Sequence, residues 1–151
     1  MSEALNSYKK LQEKFGLPQL DKLQSAFKFE VEENDDLDDI RNEISSKLFE
    51  FTENIIEPLL WSSHYCHIVE RDMLAAKENP RIFEFYKQIQ ALRWRNNMLT
   101  ISPNAEETAR WIVDFWSFWG NFEHFASTLC TKFSRGWENL IFKETVTEYQ
   151  G

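Results

Sequence analysis

The residues with most chemistry to offer stand in one short run, His64-Tyr65-Cys66-His67-Ile68-Val69-Glu70. On a helix His64, His67 and Glu70 share one side, and two imidazoles three residues apart can hold one metal ion. A further ligand would come from Glu123 or His124, or from Glu50, Glu53 or Glu57. Di-iron bundles build sites from facing helices in this way, but with a Glu-x-x-His pair on each of two helices, and that motif is absent. The simpler expectation is that both histidines are surface or cap residues beside Ser62 and Ser63. A metal-dependent helical-bundle enzyme with a divalent ion on His64, His67, Glu70 and His124 is kept as the second reading, and the first reading expects no cofactor.

Other chemistry is less well supplied. Glu43, Glu50, Glu53 and Glu57 form a carboxylate row suited to Mg²⁺, but paired acids on a second helix are missing, so a solvated helix face is expected. Cys66 lies next to His67, yet adjacent helical residues diverge by about 100° and aim the thiol away from the base. Cys130 falls in an aromatic stripe and reads as a small core side chain. No glycine-rich phosphate loop or nucleophile elbow occurs. A formal charge of −8 repels phosphate backbones, and Arg93-Trp94-Arg95 is no patch because its members point apart, so no nucleic acid is expected.

The elements that must carry these residues are helices. Only four Gly and four Pro occur in 151 residues, too few for the corners of a strand architecture. Leu5, Tyr8, Leu11 and Phe15 make the stripe of a first helix, stopped by Gly16. Leu17, Leu20, Leu23 and Phe27 make a second. Phe27, Phe29 and Val31 read as an extended connector, and Asn34-Asp35-Asp36 as a helix start. Leu37, Ile40, Ile44, Leu48, Phe51 and Ile55 keep a helical rhythm as far as Pro58, where a kink or end is expected. Asn79-Pro80 and Ser102-Pro103 read as capped restarts, the first followed by Ile82, Phe85, Tyr86, Ile89 and Leu92 on a broad buried face.

The last third is the most distinctive. Trp111, Phe115, Phe118, Phe122, Phe125 and Leu129 alternate spacings of four and three. Beside them runs a second stripe of Ile112, Trp116, Trp119, Ala126, Cys130, Phe133 and Trp137. Apolar residues cover well over half the circumference, so a helix over Pro103–Phe133 is expected at the centre of the fold. Gly120 would admit a close neighbour or bend the helix, Ser134-Arg135-Gly136 would interrupt it, and Leu140, Ile141 and Val146 mark a weak tail helix. Asp114, Glu123 and His124 argue against a membrane span between Arg110 and Lys132.

The run Tyr8 to Phe27, YKKLQEKFGLPQLDKLQSAF, then an acidic break and LDDIRNEISSKL, resembles a group of uncharacterised archaeal all-helical proteins. The resemblance extends through the helix after Asn79-Pro80. It implies an archaeal cytoplasmic protein with the same helical fold, and it carries no activity.

The expected molecule is all-α, a single-domain bundle of about six helices around one long aromatic helix. Its segments are short helices and a connector over 1–33, middle helices over 35–99 and aromatic helices over 103–146. No export signal is visible, which favours a cytoplasmic setting with both thiols free. The expected function is non-catalytic: a homo-oligomer or protein partner held through Trp111, Phe115, Trp116, Phe118, Trp119, Phe122 and Phe125, with neither membrane nor nucleic acid involved.

Overall fold

The computed structural model describes residues 3–27 and 35–140. Among them lie only helices and their connections: α1 (Glu3–Phe15), α2 (Leu20–Phe27), α3 (Leu37–Phe51), α4 (Glu57–Trp61), α5 (Tyr65–Asp72), α6 (Glu78–Ile101) and α7 (Ala105–Glu138). A π-helical turn, Thr52–Ile56, joins α3 to α4 without a break, so these seven elements make six rods. The connector at Phe29 and Val31 and the tail at Ile141 and Val146 lie outside the described residues.

Local chemistry explains most of the boundaries. Gly16 ends α1 with φ 68°, a left-handed conformation that only glycine adopts readily, and its N–H donates to the Gln12 carbonyl at 2.8 Å. Asp36 and Asp39 open α3 with a reciprocal capping box, each carboxylate accepting from the other's backbone N–H at 2.9 and 3.0 Å. Pro58 neither ends nor breaks its rod. Proline lacks an N–H and crowds the carbonyl four residues back. The preceding turn widens instead, with the Glu57 N–H reaching the Thr52 carbonyl five residues away.

α5 is capped at His64, whose N–H donates to the Ser62 hydroxyl at 3.2 Å. Two other starts differ from expectation. α6 begins at Glu78, so Asn79 and Pro80 sit inside the first turn, where a missing N–H leaves no bond unmade. α7 begins at Ala105 because the Asn104 side chain, not Ser102, accepts the Glu107 N–H at 3.0 Å.

α7 then runs unbroken for 34 residues, through both Gly120 and Ser134-Arg135-Gly136. Such a helix is about 50 Å long, against about 36 Å for the 24 residues of α6. It packs against α3, α6 and α1. Trp111, Ile112, Phe115 and Phe122 are fully buried, and with Ile40, Ile44, Leu48, Ile82 and Ile89 they form the centre of the core. α6 begins beside Lys132, which pairs with Glu78, the first residue of α6. Beyond that point α7 meets α5 and the residue that follows it. The Trp137 indole N–H donates to Glu70 at 3.0 Å, and a Cβ on Gly136 would collide with the Met73 thioether. Cys130 is exposed, not a core side chain as its stripe suggested, because the covering of α7 thins toward this end.

Gly120 has no such neighbour. A Cβ built there meets nothing within 4 Å, and the residue is exposed. Glycine inside a helix is about 1 kcal/mol worse than alanine. Gly120→Ala should therefore raise stability by about that amount in urea denaturation, and a loss would reveal a contact with another chain at this position.

Candidate functional site

The histidine run does not assemble into a ligand set. The His64 and His67 rings meet edge to face with centroids 5.9 Å apart. His67 Nδ1 lies 2.7 Å from the Ser62 hydroxyl, and Arg71 donates to the Ser62 carbonyl. Glu70 faces the Trp137 indole instead of the imidazoles. His124 lies on α7, lining a shallow groove with Ser127, Thr128, Thr131, Lys132 and Arg135. Glu53 and Glu57 are engaged by Arg93 at 3.0 and 3.4 Å, while Glu50 and Glu123 are exposed. Among the described residues no three His, Cys, Asp or Glu side chains converge to hold a metal.

The aromatic face of α7 is closed within the chain itself. Trp111, Phe115, Phe118, Phe122 and Phe125 are all buried, while Trp116 and Trp119 pack partly buried against the same core. The Trp111 indole donates to the Leu92 carbonyl at 2.9 Å, and Phe85 of α6 stands edge to face with Phe122 at 5.1 Å. An interface through these rings would have to open the core. Of the seven residues expected at an interface, Trp116 and Trp119 keep part of their surface exposed, while α1, α3 and α6 pack around the helix that carries the other five.

Large apolar side chains are uncovered at Trp61 of α4, Tyr65 and Ile68 of α5 and Val113 and Trp137 of α7, but four more, including the three most exposed, lie on α6. Ile82, Phe85, Ile89, Leu92 and Leu99 turn toward α3 and α7. On the opposite side Phe83, Trp94, Met98 and Ile101 are 49, 71, 62 and 82% exposed. Spacings of eleven, four and three residues put these four on one face, since eleven residues complete about three turns. α6 is therefore apolar on two sides, a pattern that ordinarily marks a helix buried all round. The sequence signal was present. Once the inner face was assigned, Trp94, Met98 and Ile101 were left over at helical spacing, but attention to Arg93-Trp94-Arg95 as a charge motif hid them.

No family model, curated protein or solved structure matches this chain. Function has to be read from the chain's own surface.

The charges around the stripe are already satisfied. No acidic residue occurs from Phe85 through Ala105 in a chain with 25 of them. Arg93 is held by Glu53 and Glu57 and stacks on the Phe49 ring at 5.0 Å. Arg95 pairs with Asp114 at 2.8 Å and Lys87 with Glu84 at 3.3 Å. Tyr86 closes the edge nearest α4. It donates to Glu57 at 3.1 Å and takes the Trp61 ring edge to face at 5.1 Å. Burial, then the hydrogen bond to the Glu57 carboxylate, pushes its phenol above the ordinary value, so it stays a neutral donor. The outer face is thus apolar at Phe83 and from Trp94 to Ile101, polar at Lys87 and Gln90 between them, and its charged neighbours are paired.

At the far end Glu78 fixes where α6 begins. Its carboxylate accepts from Lys132 and from the Ala75 N–H at 2.8 Å, and in that order these hold it below the usual carboxylate range. The Arg81 guanidinium lies over the Phe125 ring at 4.9 Å and anchors the next turn. Both ends of α6 are therefore tied to α7, which keeps the outer stripe in a single rigid line.

Proposed function

We propose that this chain is a non-catalytic assembly protein that self-associates through an apolar helix face, and that the face is the outer side of α6. One observation carries the reading: four large apolar side chains exposed in line on a helix whose opposite side is core. Aromatic side chains offer about 150–250 Å² each. At the exposures observed, the four together leave on the order of 500 Å² open, most of it at the Trp94–Ile101 end and the rest at Phe83.

Charge supports the same conclusion. Two copies of net charge −8 repel each other over most of their surfaces. The outer face of α6 is where they can meet without bringing carboxylates together. A nucleic-acid partner is disfavoured because the nearby guanidinium groups already face Glu53, Glu57 and Asp114. No helix among the described residues is long and apolar enough to cross a membrane. A cytoplasmic setting belongs to the proposal, and the two exposed free thiols, Cys66 and Cys130, fit a reducing compartment.

The test is the mass in solution. The native chain at micromolar concentration should scatter light as more than one chain. The double variant Trp94→Glu/Ile101→Glu should scatter as a single chain with unchanged helical circular dichroism, since neither side chain supports the core. A native protein with the mass of one chain, even at high salt, would overturn the proposal.

A further inference from the structure

We infer that the partner seated on this face is the same face of a second copy, with the two α6 helices antiparallel about a two-fold axis beside Leu92. The inference rests on the assembly reading above and specifies its geometry.

The stripe is long and unevenly filled. Its bulk lies at Phe83 at one end and at Trp94, Met98 and Ile101 toward the other. Between them the outward positions are Lys87, Gln90 and Ala91, which are slimmer or flexible. Parallel pairing would stack Trp94 on Trp94 and set Lys87 against Lys87. Antiparallel pairing about the midpoint of Phe83 and Ile101 sets Phe83 against Ile101, Gln90 against Trp94 and Lys87 against Asn97. Each indole then meets the low middle of the opposite stripe, and no like charges face each other. The opposed helix dipoles also favour this orientation.

Closure distinguishes face-to-face contact from head-to-tail contact. A two-fold contact covers both stripes in one step. A head-to-tail contact leaves one stripe open in every pair and needs further copies, as a ring or a fibre, to cover it. Area agrees with the two-fold form. A standard interface takes about 800 Å² from each partner. Apolar surface on the order of 500 Å², carried by Phe83 at one end and Trp94, Met98 and Ile101 at the other, supplies its buried part. Lys87, Gln90 and Asn97, with the ion pairs of Arg93 and Arg95, supply the polar rim that such interfaces carry. Trp94 and Ile101 are the most exposed large apolar side chains among the described residues.

The experiment uses the full chain with Cys66→Ser/Cys130→Ser as background, because both native thiols are exposed. Lys87→Cys and Asn97→Cys proteins are prepared separately and treated with a short bis-maleimide, alone and as an equimolar mixture. The mixture should yield several-fold more cross-linked pairs than either protein alone. Equal or greater cross-linking of the Lys87→Cys protein by itself would overturn the antiparallel arrangement. A two-chain mass with no cross-link in any sample would overturn the α6-to-α6 contact while leaving self-association standing. The mass of one chain for the background protein would remove both.

Discussion

Trp111→Ala is expected to be among the most damaging single substitutions in this protein, lowering the unfolding free energy by about 3–5 kcal/mol. The side chain is completely buried, stacks on Phe115 at a centroid distance of 5.9 Å and ties α7 to α6 through the Leu92 carbonyl. Truncation leaves a cavity that neighbouring helices cannot close, because Ile112, Phe115 and Phe122 are themselves fixed by the core. Domains of this size hold only about 5–15 kcal/mol in total. The loss should appear as a large drop in the urea midpoint with little change in slope. Trp111→Phe keeps a ring in place and loses the indole hydrogen bond, so its effect should be clearly smaller. A Trp111→Ala protein within 1 kcal/mol of the native one would mean that α7 does not lie at the centre.

The second large effect is expected at Arg41, 2% exposed at the meeting of three helices. Its guanidinium donates to the Asn96 side chain and to the Asn96 carbonyl at 3.3 Å, and lies 3.5 Å from Asp38. Asp38 in turn accepts the Thr108 hydroxyl of α7 at 3.1 Å. Asp38 is 39% exposed and keeps water when its partner goes, so Arg41→Ala should cost about 2–3 kcal/mol, from hydrogen bonds to a charged group and the lost packing of its stem. Arg41→Met keeps the stem's volume, and part of the native arrangement is already imperfect, since Arg41 Nε has no hydrogen-bond partner. The methionine variant should therefore recover at least half of the loss in thermal unfolding followed by circular dichroism. If Met and Ala behave alike, charge rather than packing holds this corner.

Much of the fold could be read from residue spacing. The rhythm from Leu37 to Ile55 and the seam from Trp111 to Leu129 each mark a face that the structure buries in large part, and both opposing stripes point to the same layer. The start at Asn34-Asp35-Asp36 was legible because short polar side chains cap free backbone N–H groups; the answering bond from Asp39 was visible only in the structure. Helix ends were harder. Ser102, Pro103 and Asn104 are all good starting residues, and only geometry decides which side chain reaches the free N–H of residue 107. Pro58 and Gly136 looked like breaks because local preference was weighed without its neighbours. A widened turn accommodates one, and the Met73 side chain lies over the other.

The site was less legible for a related reason. A sequence pattern reports that a face is apolar but not which surface will cover it. The strongest apolar face, on α7, is matched inside the chain by α3 and α6. The weaker one, on α6, is left open because no further helix among the described residues lies across it.

The unequal lengths of α6 and α7 give the molecule two regimes of motion. Amide protons around Trp111 and Phe115, sealed between helices, can trade with solvent only when the whole domain opens. Those past Lys132 need only the small helix α5, which has no buried residue of its own, to swing aside and release Trp137. The domain thus comes undone from one tip, and a protease would find that tip long before the bundle as a whole gave way.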